Sequence, residues 1–558
     1  MTVTKPDPTV TVTFAQETVR ILETFDCAKA FGVSGGYIFP LWHFLDSSRS
    51  VDVHHCRSEA GATFAALEYS LHKDALGIAF ATTGPASLNA YAALRSARSD
   101  GGKIVFLSAI TSEDENGPKK AQDTTSHAVY DVAGESLRHP FSECLIIRQR
   151  SDLLRFCRSL RDLRAGHGGC LGVFIKPDVQ MAQVEPLLDH ELEENMATST
   201  VVASPKWIDL IRGRLTEGKA VIWAGYGAKE SAGALLKLVE HYRVPVMSTP
   251  RAKGVFPETH PLFWGCSGIG GHIDADELTR RNPEELSLLV LGSRLEETSS
   301  LFMQLKVPVR ELIVVNSPSR QVERNLPSHA LIIDEDITNL LGELAQGVPR
   351  ESLEYCSKPH IIPEEQPIDD KVHPVNVVSA VQHLAINTAN YMVIGDIGNT
   401  LSWTTHYLRF DEPGRFRLGT HDAAMSSATC GAVGVGACGT PTVVITGDGA
   451  MLLQNEVSTA VRYQMPIIWV VMNDQAYNMC GQVWSVPNTM PPDLSIPETD
   501  FAMLGSALGA LGFAVTSSKD FRDALQQAIR LKAPAVIDVK IDGSARAPVG
   551  ARAKSLRG

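Results

Sequence analysis

The sequence lacks the features of a membrane-spanning, secreted or nucleic-acid-binding protein. No apolar run reaches the roughly 20 residues needed to cross a bilayer, and the N-terminus "MTVTKPDPTVTVTFAQ" has no basic start followed by an apolar core. The 51 Lys and Arg residues are outnumbered by 63 Asp and Glu residues, so the net charge is −12. This acidic balance argues against nucleic acid or an anionic membrane as the main partner. We therefore expect a cytoplasmic protein whose partners are small molecules.

Paired cysteines and low-complexity tracts are also missing. The ten cysteines are scattered along the chain without a C-x-x-C pair, so neither a zinc site nor a redox site is indicated. An apolar content of 44% and a charged content of 20% are typical of a globular protein. At 558 residues the chain is too long for one hydrophobic core, and three or four domains are expected.

Short apolar runs that end in glycine or small polar residues alternate with helix-like segments, as in repeated βα units. Two polar, proline-bearing seams at 183–205 and 345–374 show no clear helical or strand period. We therefore predict an α/β fold of three doubly wound parallel-sheet domains, at 1–190, 200–345 and 370–558. The central domain resembles a small Rossmann-like unit, although its Gly225-x-Gly227 turn indicates nucleotide binding only weakly, because glycine suits such turns for steric reasons.

The chemistry is indicated by polar residues that follow two apolar runs. "TVVITGDG" places Asp448 between two glycines, and "PIIWVVMND" ends in Asn473 and Asp474. Ligands of doubly wound sheets gather at the carboxyl ends of the strands, and glycine lets backbone N–H groups approach a phosphate. Two oxygen ligands, a backbone carbonyl and phosphate oxygens would suit Mg²⁺.

These motifs resemble those of the thiamine-diphosphate enzymes, specifically the three-domain branch that includes acetolactate synthase, pyruvate oxidase and benzoylformate decarboxylase. In that family a GDG is followed a little over twenty residues later by a paired Asn, and the segment here is one residue shorter. The resemblance implies that Asp448 and Asp474 are the side-chain ligands of Mg²⁺ and that Ala476 adds its backbone carbonyl, with Asn473 as the competing ligand. It also implies an N-terminal pyrimidine-binding domain and a C-terminal diphosphate-binding domain.

Earlier stretches carry the same resemblance. "HHCRSEAGATFAALEYS" places the family's catalytic glutamate on Glu59, which would hydrogen-bond to the aminopyrimidine ring of the cofactor, and "KKAQDTTSH" places catalytic candidates at Gln122 and His127. "FGVSGGYIFPLW", "AFATTGPASLNAYAAL" and "GDIGNTLSW" resemble further cofactor-binding loops. The cofactor contacts implied by the resemblance are Gly35, Gly36, Pro85, Asn89, Gly398, Asn399, Thr400, Ala423, Met425, Gly447, Asp448, Gly449, Ala450, Tyr477, Asn478 and Met479.

One of these loops departs from the family pattern. "HDAAMSSATCGA" supplies Met425 where the G-x-M-G motif has its hydrophobic wedge, but Ala423 and Ser426 replace the two flanking glycines. The carbonyl of Ala423 can still accept a hydrogen bond from the cofactor. We expect the wall of the pocket to be slightly reshaped at this loop.

The resemblance implies a thiamine-diphosphate and Mg²⁺-dependent carboligase, which decarboxylates a 2-oxo acid and transfers the acyl anion to a second carbonyl. There are three alternatives. The first is a non-oxidative decarboxylase, the second is a flavin-dependent oxidase that binds FAD, and the third is a non-catalytic cofactor-binding homologue or partner subunit. The family's active sites lie at subunit interfaces, which implies a homodimer or homotetramer. Sugar, aryl and aliphatic 2-oxo acids all remain open as substrates.

Overall fold

The computed structural model describes the chain in the ranges 11–111, 121–122, 140–166, 168–196, 204–273, 275–280, 282–316, 326–344, 371–420, 422–453, 456–484 and 489–549. His127 lies outside the described residues. Three six-stranded sheets, each entirely parallel, form the framework. The prediction of three doubly wound α/β domains is confirmed at this level.

The three sheets occupy successive parts of the sequence. In spatial order, the N-terminal sheet contains Asp52–His55, Lys29–Gly32, Gly77–Phe80, Lys103–Ser108, Gly169–Ile175 and Glu143–Ile147. The central sheet contains Phe263–Cys266, Val246–Ser248, Ala220–Ala224, Ser287–Leu291, Glu311–Asn316 and Leu331–Asp334. The C-terminal sheet contains Phe416–Leu418, Met392–Gly395, Thr442–Gly447, Ile467–Asn473, Ala535–Lys540 and Leu511–Val515.

Helices follow most strands. Those of the N-terminal part are Phe14–Thr24, Phe39–Ser47, Glu59–Lys73, Pro85–Asn89, Tyr91–Asp100, Arg150–Ala165, Pro177–Met181 and Asp189–Met196. The central part has Pro205–Glu217, Ala232–Tyr242, Ala275–Thr279, Glu297–Ser300, Met303–Lys306 and Ile337–Leu344. The C-terminal part has Pro374–Ala380, Asn399–Tyr407, Ser427–Gly436, Asp448–Met451, Val457–Arg462, Asn478–Gln482, Phe501–Ala507 and Ser518–Leu531, with a π-helical turn at Val381–Thr388.

The N-terminal and C-terminal sheets share one strand order. If the strands of each sheet are numbered by sequence, both run 2-1-3-4-6-5, whereas the central sheet runs 3-2-1-4-5-6, the order of Rossmann folds. In the N-terminal and C-terminal sheets the winding reverses between the first and third strands. Ligands of doubly wound sheets bind at such a reversal, which in the C-terminal sheet lies between Met392–Gly395 and Thr442–Gly447.

The apolar runs become strands because both faces of each sheet are covered. Trp469 in Ile467–Asn473 and Ile445 in Thr442–Gly447 are fully buried, as expected for parallel strands packed between helices. Each buried Val, Ile or Leu side chain contributes about 1.5–3 kcal/mol through the hydrophobic effect. The apolar pattern thus drives strand burial, and the polar residues Asp448 and Asp474 follow directly after two of these strands.

The described residues pack into two compact units that are not continuous in sequence. The first unit combines residues within Met1–Ser199 with Thr429–Thr440 and Gln454–Met465, and the second contains the remainder. In the first unit, Gly434 packs directly against the helix Glu59–Lys73, where an added Cβ would lie 2.8 Å from the carbonyl carbon of Ala65. Glycine at 434 therefore permits this close helix packing. The predicted domain boundaries stay a prediction.

The first of the two seams contains regular structure. The seam 183–205 contains the short strand Gln183–Val184 and the helix Asp189–Met196, so regular structure continues across position 190. Leu192 of this helix is buried, and Glu191 pairs with Arg150 at 2.5 Å. A single buried apolar side chain leaves too weak a periodicity to be recognised in sequence. Within the described ranges, no helix has the length and apolarity required to cross a membrane.

Candidate functional site

A cavity of about 230 Å³ opens at the winding reversal of the C-terminal sheet. It belongs entirely to the second compact unit. Its lining includes most of the contacts predicted for this part of the chain, namely Gly398, Asn399, Thr400, Met425, Gly447, Asp448, Gly449, Ala450, Asp474, Ala476, Tyr477, Asn478 and Met479. The fold therefore brings together four sequence motifs that are separated by up to about 80 residues.

Asp448 is the most buried carboxylate of this lining, with 4% of its surface exposed. It follows the strand Thr442–Gly447, and its Oδ1 accepts a hydrogen bond from the N–H of Gly449 at 2.7 Å, while the buried Oδ2 has no hydrogen-bond partner. Burial, followed by the nearby charge of Asp474, raises the pKa of Asp448 to about 6. A buried carboxylate oxygen of this kind is suited to a cation.

Asp474, and not Asn473, shares the cavity with Asp448. Burial also raises the pKa of Asp474, against the effect of Asn478, whose Nδ2 donates to Asp474 Oδ2 at 2.7 Å. Side chains alternate along a strand, and Asn473 consequently points away, where its Nδ2 donates to Asp538 Oδ1 at 2.9 Å. Of the two candidates at this strand end, the geometry favours Asp474 as the cation ligand.

The described residues contain no group of three or more His, Cys, Asp or Glu side chains placed to hold a metal ion. A cation between Asp448 and Asp474 would therefore need backbone and ligand oxygens as well. Mg²⁺ is usually bound in this way, by one or two carboxylates together with phosphate oxygens and water. Ala476, whose carbonyl was predicted as a ligand, lines the same cavity.

The turn that precedes the helix Asn399–Tyr407 lines the same cavity. Gly398 adopts a φ of +83°, a conformation that favours glycine. The buried Oδ1 of Asn399 has no hydrogen-bond partner, so it is available to a ligand. The hydroxyl of Thr400 instead donates to backbone carbonyls of its own turn, at 2.7 Å for Ile397, and so supports the turn.

Asp396 connects this turn to the Asp448 turn. It was not among the site residues that the sequence motifs indicated. The fully buried carboxylate accepts from the N–H of Ile397 at 2.9 Å and from the hydroxyl of Thr446 at 3.0 Å. Burial raises the pKa of Asp396 to about 6. Its position directly after a buried strand was the available signal.

The loop with the replaced glycines keeps a glycine-like backbone. Ala423 has a φ of +47° and Ser426 a φ of +69°, both in the left-handed region that non-glycine residues rarely adopt. Met425 between them is 39% exposed and lines the cavity, so it is not an ordinary core methionine. Ala423 itself is not among the lining residues.

Several residues that follow Asp474 in sequence also line the cavity. The ring of Tyr477 lies against Gly449, where an added Cβ would be 2.6 Å from the ring. Nδ2 of Asn478, which donates to Asp474, also donates to the carbonyl oxygen of Gly543 at 2.6 Å. Asn478 therefore links Asp474 to the Gly543 backbone, and its direct contact with the cofactor stays a prediction. The additional lining residues that sequence patterns did not indicate are Pro374, Ile397, Trp403, Met472, Cys480, Ile541, Asp542 and Ala545.

Glu59 lies in the first compact unit, at the start of the helix Glu59–Lys73. Ser58 caps this helix by accepting from the N–H of Gly61 at 3.0 Å. The half-buried Glu59 carboxylate accepts from Nδ2 of the exposed Asn89 at 3.1 Å. Two predicted site residues, 30 positions apart, therefore meet at the carboxyl edge of the N-terminal sheet.

Other residues predicted for this edge also lie close together. Gly35 packs against Thr82, whose Cγ2 would be 2.9 Å from an added Cβ. The carbonyl of Gln122 accepts from the hydroxyl of Thr83 at 3.2 Å and contacts Gly84, which has a φ of +62°. The exposed members of this group are Gly36, Pro85, Asn89 and Gln122.

The glycine turn of the central sheet is closed internally. The N–H of Gly227 donates to the carbonyl of Gly292 at 2.9 Å, and an added Cβ at Gly225 would lie 2.6 Å from the carbonyl carbon of Gly292. In a phosphate-binding turn the N–H groups point at the ligand. The N–H of Gly227 is used within the fold, so this group is not available to a phosphate, and the FAD alternative stays a prediction.

Comparison with known families matches all three parts of the chain. Residues 12–131 match the N-terminal TPP binding domain of thiamine pyrophosphate enzymes, residues 215–344 their central domain, and residues 396–539 their C-terminal TPP binding domain. Together with the three parallel sheets, these matches define an α/β protein of a cofactor-dependent enzyme class. The chain belongs to the thiamine pyrophosphate (thiamine diphosphate) enzyme family.

Several curated relatives span nearly the whole chain. An acetolactate synthase large subunit of Mycobacterium tuberculosis is 23% identical and covers 96% of this chain and 89% of its own length. An acetolactate synthase of Mycobacterium avium is 23% identical, with coverages of 93% and 85%. The acetolactate synthase large subunit of Haemophilus influenzae is 22% identical, with coverages of 95% and 94%.

Proposed function

We propose that this chain is a thiamine-diphosphate and Mg²⁺-dependent carboligase, which decarboxylates a 2-oxo acid and joins the resulting acyl group to a second carbonyl compound. When bound, thiamine diphosphate supplies the carbon nucleophile for this chemistry. The chain's own residues must bind the cofactor, orient it and hold a carboxyl group at its aminopyrimidine ring. The paired Asp448 and Asp474 in the cavity are the observation that carries the proposal.

The acidic pair fits a magnesium diphosphate. Two carboxylates in one partly desolvated cavity repel each other, and a divalent cation would relieve this repulsion while binding the buried Oδ2 of Asp448. Gly447 and Gly449 leave the backbone accessible to phosphate oxygens. We assign Asp448, Asp474 and the carbonyl of Ala476 to the metal and the surrounding glycine turns to the diphosphate.

Glu59 is the proposed catalytic residue. Its place in the first turn of a helix and its hydrogen bond to Asn89 hold the carboxyl group at the edge where the ligand of the N-terminal sheet would lie. A carboxyl hydrogen-bonded to the cofactor's ring nitrogen would promote proton transfer within the cofactor. Gln122, at the same edge, is the proposed second polar contact.

We further propose that the active unit is a homodimer or homotetramer with each site at a subunit interface. The cavity of about 230 Å³ is smaller than the roughly 300–1,000 Å³ of typical ligand pockets, so it would hold only part of the cofactor. Near the proposed site, Leu452 and Leu453 are 44% and 49% exposed, and exposed apolar side chains of this kind are suited to a partner surface. Light scattering coupled to size-exclusion chromatography tests this, and a monomer with full turnover would contradict it.

Ligation is favoured over simple decarboxylation because several relatives that span nearly the whole chain are named acetolactate synthases. The test is incubation of the purified protein, thiamine diphosphate and Mg²⁺ with aliphatic and aryl 2-oxo acids, with quantification of CO₂, aldehyde and ligated hydroxy-keto products. Glu59→Gln serves as the inactive control. If only CO₂ and aldehyde form, the enzyme is a decarboxylase and the ligation proposal is wrong.

The alternative of a non-catalytic homologue rests on Asp474 and on the two loop residues Ala423 and Ser426. Because both keep the positive φ that glycine favours, the replaced residues preserve the backbone of the loop, and this supports a functional site. Absence of any turnover with the 2-oxo acid panel, in protein that binds the cofactor, would favour the non-catalytic alternative. A yellow protein with flavin absorbance would instead support the oxidase alternative.

A further inference from the structure

A second glutamate, Glu456, is fully buried in the first compact unit and binds the backbone directly before Glu59. Its Oε1 accepts from the N–H of Arg57 and from the N–H of Ser58, both at 3.1 Å. Its Oε2 accepts from the N–H of Arg57 at 3.1 Å and from the hydroxyl of Thr459 at 2.6 Å. One carboxylate therefore holds two consecutive peptide N–H groups whose next residue is Glu59.

The first turn of the Glu59 helix is shaped to receive this carboxylate. Gly61 packs against it, and an added Cβ would overlap the carboxylate and lie 2.7 Å from Glu456 Cγ. Ser58 is also the helix cap, since its Oγ accepts from the N–H of Gly61. The Glu456 carboxylate thus lies at the N-terminal end of the helix, where the helix dipole favours negative charge.

Neighbouring contacts fix the same short segment from the Glu456 side. The N–H of His55 donates to the hydroxyl of Tyr463 at 2.9 Å, and Arg57 Nε donates to Ser458 Oγ at 2.9 Å. The chain from 55 to 58 is therefore attached at several points to the segment that begins at Glu456. Since Glu59 follows directly, its Cα position and the starting direction of its side chain are set by these contacts.

We propose that Glu456 is a positioning residue, which fixes the direction of the Glu59 carboxyl group through the peptide N–H groups of Arg57 and Ser58. This inference rests on the proposed function, because it assumes that Glu59 acts on the cofactor. Displacement of a catalytic group by about 1 Å can cost about 100-fold in rate. Loss of Glu456 therefore slows proton removal from the cofactor without removing any group that touches it.

The experiment measures hydrogen–deuterium exchange at the thiazolium C2 of thiamine diphosphate, in holoenzyme saturated with cofactor and Mg²⁺, by rapid acid quench and NMR. Glu456→Ala removes the carboxylate. Gly61→Ala keeps both glutamate residues in the sequence, but its added methyl group displaces the Glu456 carboxylate. We expect both variants to slow the exchange by about 10- to 100-fold. Glu456→Gln keeps the shape and one acceptor oxygen, and we expect a rate between those of Glu456→Ala and the wild type.

Glu17→Ala is the matched control for a loss of stability. Glu17 is also buried, at 1% exposure, and accepts from the N–H of Leu187 at 2.8 Å. Thermal melts should show destabilisation in both Glu17→Ala and Glu456→Ala, but the exchange rate of Glu17→Ala should equal that of the wild type. If Glu456→Ala does not fold, Gly61→Ala and Glu456→Gln decide the question.

A wild-type exchange rate in folded Glu456→Ala or Gly61→Ala overturns the inference, and so does an equal slowing in Glu17→Ala. Failure of the proposed function has a different signature, since Glu59→Gln would then exchange at the wild-type rate. If Glu59→Gln is slow and the Glu456 and Gly61 variants are normal, Glu59 acts on the cofactor but Glu456 does not position it.

Discussion

The N-terminal and C-terminal sheets have the same strand order, yet the edges where their winding reverses are chemically different. At the C-terminal edge, Asp448 and Asp474 lie in one cavity and both have raised pKa values. At the N-terminal edge, the single carboxylate of Glu59 is half-buried and contacts the exposed Asn89. Topology therefore determines where a ligand binds, and the residues at each edge determine what the edge does. We assign cation and phosphate binding to the first edge and proton handling to the second.

Replacement of Glu59 by Gln should remove the function of the N-terminal edge and leave that of the C-terminal edge intact. We expect turnover to fall by about 10²- to 10⁴-fold, the usual contribution of acid–base catalysis, because an amide cannot exchange the proton. The cofactor affinity, measured by calorimetry, should be nearly unchanged. Replacement of Glu23, an acid on the helix Phe14–Thr24, by Gln provides the control and should leave turnover intact. An active Glu59→Gln enzyme would contradict the division of roles.

Replacement of Asp448 by Ala should break the C-terminal edge. Changes in the outer shell of a metal site cost about 10- to 100-fold in metal affinity, and loss of a direct ligand should cost about 100-fold in the affinity for cofactor and Mg²⁺ together. Calorimetric titration measures this. Asp493→Ala, in a loop outside the cavity lining, is the control. Unchanged affinity in Asp448→Ala would remove Asp448 from the metal site.

The C-terminal edge should also respond to pH. Asp448 in the metal-free protein has a pKa of about 6, above the ordinary value of 3.8. Between these two pH values its carboxyl group is protonated in the folded protein and ionised in the unfolded chain. Stability of the metal-free protein therefore falls as pH rises from about 4 to about 6. Mg²⁺ binding requires the ionised form, and below about pH 6 its affinity should fall about tenfold per pH unit. Affinity that is independent of pH between 5 and 7 would contradict this.

Replacement of Asp474 by Asn sharpens the account of the acidic pair. Asn keeps an oxygen at the same place but removes the charge that helps to raise the pKa of Asp448. We expect the Mg²⁺ affinity at pH 7 to change by less than about tenfold, since one ligand oxygen is retained. The pH at which binding weakens should move downward. Asn473→Asp, at the neighbouring position that faces Asp538, should not reproduce this shift.

The smallest expected effect concerns the loop around Met425. Glycine at 423 or 426 would relieve the left-handed backbone strain, which costs roughly 1–2 kcal/mol for other residues, but glycine also adds freedom to the unfolded chain. We expect each of Ala423→Gly and Ser426→Gly to stabilise the protein by up to about 1 kcal/mol in urea unfolding. Ala424 does not have a positive φ, so Ala424→Gly should instead destabilise the protein.

The sequence was sufficient to predict features that follow from local pattern. An apolar run followed by Gly447-Asp448-Gly449 predicts a strand and a ligand-binding turn, and the fold places that turn at the edge of a parallel sheet. The family resemblance favoured Asp474 but left Asn473 as a competing ligand, because the orientation of Asn473 depends on Asp538, which lies 65 positions away. Local spacing carries no information on such a distant pair.

Glu456 could not be recognised for the same reason. It contacts Arg57 across 399 positions, and its segment is similar to any other polar start of a helix. The contribution of Gln122 was predicted from motif alone, and the structure shows that its backbone carbonyl makes the contact with Thr83. Motifs therefore identified candidate residues, whereas the atoms that make each contact required the fold.

The most direct test of the account is the distance between Glu59 and the cofactor in a crystal structure of the protein with thiamine diphosphate and Mg²⁺. The account predicts the metal between Asp448 and Asp474, and a Glu59 carboxyl oxygen about 2.6–3.2 Å from the aminopyrimidine ring nitrogen. A bound cofactor whose aminopyrimidine ring lies beyond hydrogen-bond reach of every Glu59 in the assembly would contradict the assignment of Glu59 as the catalytic residue.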